Sequence, residues 1–164
     1  MIFGRAQVGE EGGHAAGRKL LENLYREHIG KLLPEIAVTE RGKPYFKDTS
    51  WHFSISHTPK HVFCALSQKE IGLDAEELDR QIKLGLAEKI LSPSEKLEYE
   101  KAEDQRLALL TFWVLKEAQA KLTGEGLRGY PSKTTAFSLA DPRIRIVDGC
   151  LVAIIEDKEN KNVI

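Results

Sequence analysis

The chain has 164 residues, enough for one sizeable core built as one or two lobes, and 41% hydrophobic with 30% charged residues fits a globular domain. Lys and Arg number 24 against 25 Asp and Glu, a net charge of −1 that gives no global support for nucleic-acid binding. No apolar run approaches the ~18 residues of a membrane span. Met1-Ile2-Phe3-Gly4 leads into glycine and charge, so no secretion signal is expected. Cys64 and Cys150 sit in apolar, strand-like runs and are expected to be reduced and buried in a cytoplasmic protein. Two cysteines without grouped histidines also count against a structural zinc site.

In chain order, residues 1–15 carry no clear element. Gly9, Gly12 and Gly13 mark loop, without the strand–turn–helix setting of a phosphate loop. The apolar spacing of Leu20, Leu21, Leu24 and Tyr25 predicts a helix over about 15–29, ended by Gly30. A short strand near 36–39 precedes the turn Arg41-Gly42-Lys43-Pro44. Residues 51–56 read as a strand with Trp51, Phe53 and Ile55 on one face, and His57 stands where Thr58-Pro59 breaks it. Strands over 61–66 and 71–75 flank a hairpin. Ser92-Pro93-Ser94-Glu95 carries a serine cap, proline at N1 and glutamate at N3, and predicts a helix to about Lys101. Asp104 starts the principal helix, which stops near Gly124. Short strands are expected over 134–139, 144–147 and 151–155, the last two joined by Asp148-Gly149, with a frayed tail over 156–161.

Two stretches carry candidate chemistry. On the principal helix Trp113, Glu117 and Lys121 recur every four residues and share a face, with Lys116 about 100° round the axis. In Ile71-Gly72-Leu73-Asp74-Ala75-Glu76, period 2 puts Asp74 and Glu76 on one side, about 7 Å apart. Two strand carboxylates and one on a helix suffice for a hard divalent cation. Without one they repel by a few kcal/mol if brought within about 5 Å. Each motif alone has a plainer reading. Glu117–Lys121 fits a surface pair worth a few tenths of a kcal/mol, and Asp74, Glu76, Glu77 and Asp79 fit a solvated strand end. Lys43 alone is a solvent-facing turn residue. His57 is a satisfied structural histidine or faces an anionic ligand.

Taken together, Gly42-Lys43-Pro44, Phe53-Ser54-Ile55-Ser56-His57, Gly72-Leu73-Asp74-Ala75-Glu76 and 113–121, followed by Gly124-Glu125-Gly126-Leu127, form one ordered pattern. With it the sequence resembles the 4'-phosphopantetheinyl transferases of the surfactin-synthetase-activating type. The resemblance implies an α+β fold of two similar helix-plus-sheet lobes related by a pseudo-twofold axis, here 1–69 and 70–164, with coenzyme A in the cleft between them. It implies Mg²⁺ on Asp74, Glu76 and Glu117, phosphate contact by Lys121 assisted by Lys116, and Lys43, Ser56 and His57 around the 3'-phosphate. Arg18 matches a nucleotide-binding arginine. The implied reaction transfers 4'-phosphopantetheine from coenzyme A to a serine of an apo acyl- or peptidyl-carrier protein, with Glu117 accepting the serine proton and Lys121 and Lys116 stabilising charge. Fatty-acid, polyketide and non-ribosomal peptide assembly all present such a carrier. Only 17 residues precede Arg18, fewer than in larger members, so the first lobe is expected to be reduced or rearranged. Both halves being recognisable, a monomer is expected, without nucleic-acid or membrane partners. The competing readings are a coenzyme A-dependent carrier-binding protein without turnover and a non-catalytic α+β interaction domain.

Overall fold

The computed structural model describes residues 1–125 and 129–158. The first half runs β1 (Ile2–Gln7), α1 (Gly13–Ile29), β2 (Ile36–Val38), β3 (Pro44–Phe46), β4 (His52–His57) and β5 (His61–Ser67). The second runs β6 (Ile71–Glu77), a 3₁₀ turn at Leu84–Leu86, α2 (Ala87–Ile90), α3 (Pro93–Lys101), α4 (Gln105–Thr123), β7 (Ile144–Val147) and β8 (Cys150–Glu156). The first three-stranded sheet has the order β1-β5-β4 and the second β6-β8-β7, both antiparallel. In each, the central strand is the last in sequence, and a long helix follows the first strand. The result is two similar helix-plus-sheet lobes, with the β2–β3 hairpin added to the first.

Strand alternation sets how the lobes meet. Cys64 and Leu66 of β5 face α1, packing with Leu21, Leu24 and Tyr25. Phe63 and Ala65 face the other way, against Leu73, Ala75 and Val152 of the second sheet. Leu151, Ala153 and Ile155 of β8 turn to α4. The sheets therefore pack back to back, each with its helix outside. On α4 the fully buried Leu109, Leu110, Phe112, Val114 and Leu115 each contribute about 1.5–3 kcal/mol relative to exposure.

The helix ends follow the sequence signals. Ser92 and Glu95 form a reciprocal capping box at α3, and Asp104 accepts from the Leu107 N–H at 3.0 Å to start α4. Gly30 and Gly124 end α1 and α4 at φ 71° and 74°.

Several expectations change. The strands over 61–66 and 71–75 do not form a hairpin: β5 pairs with β1 and β4, and β6 pairs with β8, so the turn between them passes from one sheet to the other. Residues 1–15 contain β1, an edge strand whose outer half is exposed. Its Gly4 lies against α1, where a Cβ would stand 2.6 Å from Leu24 Cδ1. The strand expected over 134–139 is irregular instead. Its backbone is tied to side chains: Phe137 N–H donates to Glu95 Oε2 and Leu139 N–H to Glu98 Oε2, both at 2.9 Å. The tail expected to fray over 156–161 is ordered where it begins, since Glu156 pairs with Ile71 and the Asp157 N–H donates to the Glu70 carbonyl oxygen. Its remainder from 159 and Gly126-Leu127 lie outside the described residues.

Candidate active site

The site is built where β6 comes under α4. Gly72 makes that approach possible: a Cβ there would sit 1.9 Å from the Ala118 carbonyl oxygen and 2.5 Å from the Leu122 nitrogen. Two residues further on, Asp74 points to the same side of the strand, under Lys121. Lys121 Nζ lies 2.8 Å from Asp74 Oδ1 and 3.4 Å from the Ile55 carbonyl oxygen. Ser56 of β4 donates to Asp74 Oδ1 at 3.2 Å while accepting from the Ala75 N–H at 3.1 Å. Ser54 likewise accepts from the Leu73 N–H. These two hydroxyls take up N–H groups that β6, as an edge strand, would otherwise leave unpaired.

Glu76 and Glu117 complete a crowded acidic corner. Burial, then the neighbouring Asp74, raises the Glu76 carboxyl above its ordinary range, against the opposing pull of Arg80, which is ion-paired to it. Burial and then Asp74 push Glu117 further, to about 7, despite Lys121. Asp74 Oδ2 is buried with no hydrogen-bond partner among the described residues. An orphaned carboxylate oxygen beside two carboxyls reluctant to ionise is a donor set that a hard divalent cation satisfies. The residues therefore fit Mg²⁺. In the geometry at hand the three carboxylates do not converge as closely as His61, Glu77 and Cys150 on the opposite side of β6, whose ligand atoms lie within 4.8 Å of one another.

Beside this corner a cleft of about 300 Å³ is lined by Arg18, Lys43, His57, Lys121, His14 and Phe53, among others. Arg18 comes from α1, Lys43 from the β2–β3 turn, His57 from the end of β4 and Lys121 from α4, so four separate elements place cationic or titratable groups around one space. Lys43 Nζ donates to Glu70 Oε2 at 2.6 Å and to the Leu122 carbonyl oxygen at the end of α4 at 2.5 Å. The side chains of Arg18 and His57 have no hydrogen bond or ion pair among the described residues. His57 packs on Gly13, where a Cβ would stand 2.3 Å from Nδ1. The start of α1 and its unpaired N–H groups therefore adjoin the imidazole.

A family model described as 4'-phosphopantetheinyl transferase superfamily matches residues 70–151, the half of the chain that carries Asp74, Glu76, Glu117 and Lys121. The chain belongs to that superfamily. It is 33% identical over 128 residues to 4'-phosphopantetheinyl transferase psf-1 of Bacillus pumilus, an alignment covering 76% of this chain and 53% of that protein. It is 34% identical over 118 residues to 4'-phosphopantetheinyl transferase Sfp of Bacillus subtilis strain 168, covering 70% and 51%. It is 27% identical over 140 residues to 4'-phosphopantetheinyl transferase HetI of Nostoc sp., covering 77% and 58%. The chain thus spans about half the length of these curated relatives.

For this superfamily member the structure brings Asp74, Glu76, Glu117 and Lys121 to one corner, and Arg18, Lys43 and His57 to the adjoining cleft. Ser56 lies behind that cleft, buried and bound to Asp74. Lys116 is not brought to either place. It projects from the other side of α4, 1% exposed, with Nζ 2.8 Å from Glu95 Oε1 and 5.9 Å from the Phe137 ring centre. The expectation that it assists phosphate contact is not met by this geometry, for the 100° offset from Glu117 carries it into the α3–α4 core. His14, one helical turn before Arg18, was missed. Its i, i+4 relation to Arg18 was the available signal.

Proposed function

We propose that this chain transfers 4'-phosphopantetheine from coenzyme A to a serine hydroxyl of an apo acyl- or peptidyl-carrier protein, releasing adenosine 3',5'-bisphosphate, as a transferase of the surfactin-synthetase-activating type. The observation that carries this is the adjacency of an acidic corner holding an orphaned Asp74 oxygen and a cleft lined by Arg18, Lys43, His57 and Lys121. A polyanion with a metal-bound diphosphate at one end needs both.

Asp74, Glu76 and Glu117 would hold Mg²⁺, which would neutralise and orient the diphosphate. Ser56 keeps Asp74 in place through its hydroxyl. Lys121 leaves Asp74 for phosphate and stabilises the charge that develops on it and on the leaving group. Glu117, directly or through water, accepts the serine proton. Arg18, His57 and Lys43 meet the nucleotide end and its 3'-phosphate, where the start of α1 adds unpaired N–H groups. Lys116 acts at a distance, holding α4 against α3. Residues 1–69 and 70–164 form the two lobes flanking the cleft, and the working unit is a cytoplasmic monomer.

Intact mass spectrometry of apo-carrier panels incubated with protein, coenzyme A and Mg²⁺ tests the reading. A magnesium-dependent gain of one phosphopantetheinyl group is expected, abolished in folded Asp74→Ala. Absence of any gain across acyl, polyketide and peptidyl carriers, with coenzyme A still bound, returns the protein to a carrier-binding role without turnover.

A further inference from the structure

Side chains alternate along β6. Asp74 and Glu76 face α4, whereas Glu77 faces the core between the two sheets, and a second cluster forms there. Glu77 pairs in register with Cys150 of β8, and His61 at the start of β5 comes across from the first sheet. His61 Nδ1 lies 3.1 Å from Glu77 Oε1 and 3.4 Å from Cys150 Sγ. Thr58, in the β4–β5 turn, donates to the same Glu77 oxygen at 2.5 Å. The cysteine is buried, but the side chains of His61 and Glu77 are 17% and 16% exposed, so solvent reaches the cluster.

We propose that His61, Glu77 and Cys150 form a binding site for a divalent cation of the Zn²⁺ class, tying the two lobes together at the rim of their shared core. The distances are those of ligands around one ion. Tetrahedral bonds of about 2.0–2.3 Å to nitrogen, oxygen and sulfur put neighbouring ligand atoms about 3.3–3.6 Å apart. The observed N–O and N–S separations lie close to these edges. The chemistry selects the metal: imidazole, thiolate and one carboxylate suit a borderline cation, whereas Mg²⁺ takes oxygen donors. Thr58 supplies the outer hydrogen bond that orients a ligating carboxylate. All three ligands stand on paired strands, so little ordering is needed on binding.

A nucleophilic cysteine does not fit the same atoms. In a Cys–His–acid array the thiol and the acid sit on opposite ring nitrogens, but here Sγ and Oε1 face the same Nδ1. The thiol itself is neutral, pushed up to about 12 by burial and by Glu77. Binding therefore exchanges the thiol proton for the cation, forming the metal–sulfur bond and releasing one proton to solvent. The site is independent of the transferase reading, since it lies across the strand from Asp74 and Glu76.

Co²⁺ is the probe. The metal-stripped, reduced 164-residue chain is titrated with Co²⁺ in excess Mg²⁺, which occupies oxygen-only sites. The expected result is a near-ultraviolet sulfur-to-cobalt charge-transfer band saturating at one equivalent and removed by Zn²⁺. Cys64→Ser retains the band, and Cys150→Ser and His61→Gln lose it. Zn²⁺ should raise the melting temperature of wild type and leave that of Cys150→Ser unchanged. Folded wild type without the band, or a band that survives in Cys150→Ser, overturns the site and leaves the trio as a hydrogen-bonded latch.

Discussion

Glu117 is held in a place that disfavours its charge, so replacing it with the neutral isostere should stabilise the metal-free protein while destroying its activity. Its carboxyl moves from an ordinary 4.5 to about 7 on folding. In full, that displacement costs the folded state about 3.4 kcal/mol once the group is ionised. Glu117 is half-buried, and solvent screening lowers the figure to about 2 kcal/mol. The sign follows from proton binding. Between about pH 4.5 and 7 the folded chain holds the proton more tightly than the unfolded chain, so stability falls as pH rises through that window. In chelator at pH 8, Glu117→Gln should therefore melt about 4–8 °C above wild type, the shift that about 2 kcal/mol gives a chain of this size. The difference should close below about pH 4, where Glu117 is neutral in folded and unfolded wild type alike. Glu76, raised by burial and Asp74, leaves the variant a weaker slope of the same sign. Added Mg²⁺ should stabilise wild type, leave the variant nearly unchanged, and support transfer only in wild type. Calorimetry across this pH range is the assay. A variant that melts at or below wild type at pH 8 in chelator would refute the crowded-carboxylate account.

Three further outcomes follow from other contacts. Lys116→Met strands the buried Glu95 carboxylate and should cost about 3–5 kcal/mol in denaturant unfolding, with partial recovery in the double variant with Glu95→Gln. Wild-type stability with lost transfer would instead put Lys116 in the chemistry. Gly72→Ala forces a methyl onto the Ala118 carbonyl and should lower stability by about 1–3 kcal/mol, the usual cost of overpacking, while weakening Mg²⁺ binding measured by calorimetry. Lys43→Ala/His57→Ala should reduce the preference for coenzyme A over dephospho-coenzyme A by about tenfold or more, since a charge-assisted contact contributes about 1.5–3 kcal/mol. An unchanged ratio of dissociation constants in the folded double variant removes both from the 3'-phosphate.

What the sequence displayed and what it concealed divide along physical lines. Residues whose role depends on local geometry were legible. The capping box at Ser92, the glycine stop at Gly124 and the shared face of Glu117 and Lys121 all follow from helix periodicity, and the structure has each of them. Strand β1 was concealed because Gly4, Arg5, Ala6 and Gln7 have neither the apolar alternation nor the β-branching of a strand. It is ordered by pairing with β5, a partner more than fifty residues away. Residues 134–139 erred the other way. Their threonines and phenylalanine look strand-like, but Glu95 and Glu98 take the backbone N–H groups that a neighbouring strand would have used.

The acidic run Asp74-Ala75-Glu76-Glu77 shows why one stretch carries two chemistries. In sequence it reads as a single charged strand end. The pleat divides it: Asp74 and Glu76 turn toward α4, where Lys121 and Arg80 balance them, and Glu77 turns toward the other sheet, where Thr58, His61 and Cys150 surround it. Those three hydrogen-bonding neighbours hold the Glu77 carboxyl below its ordinary range although burial opposes them, while Glu76 next door is raised. Adjacent glutamates therefore lie in opposite electrostatic environments a few ångströms apart. A one-residue slip of β6 against β8 would exchange the two sets, sending Glu77 under α4 and the orphaned Asp74 into the apolar core between the sheets. Gly72 blocks that slip. Only a residue without Cβ can lie against the Ala118 carbonyl, so the glycine that lets helix and strand approach also fixes which carboxylates face the cleft.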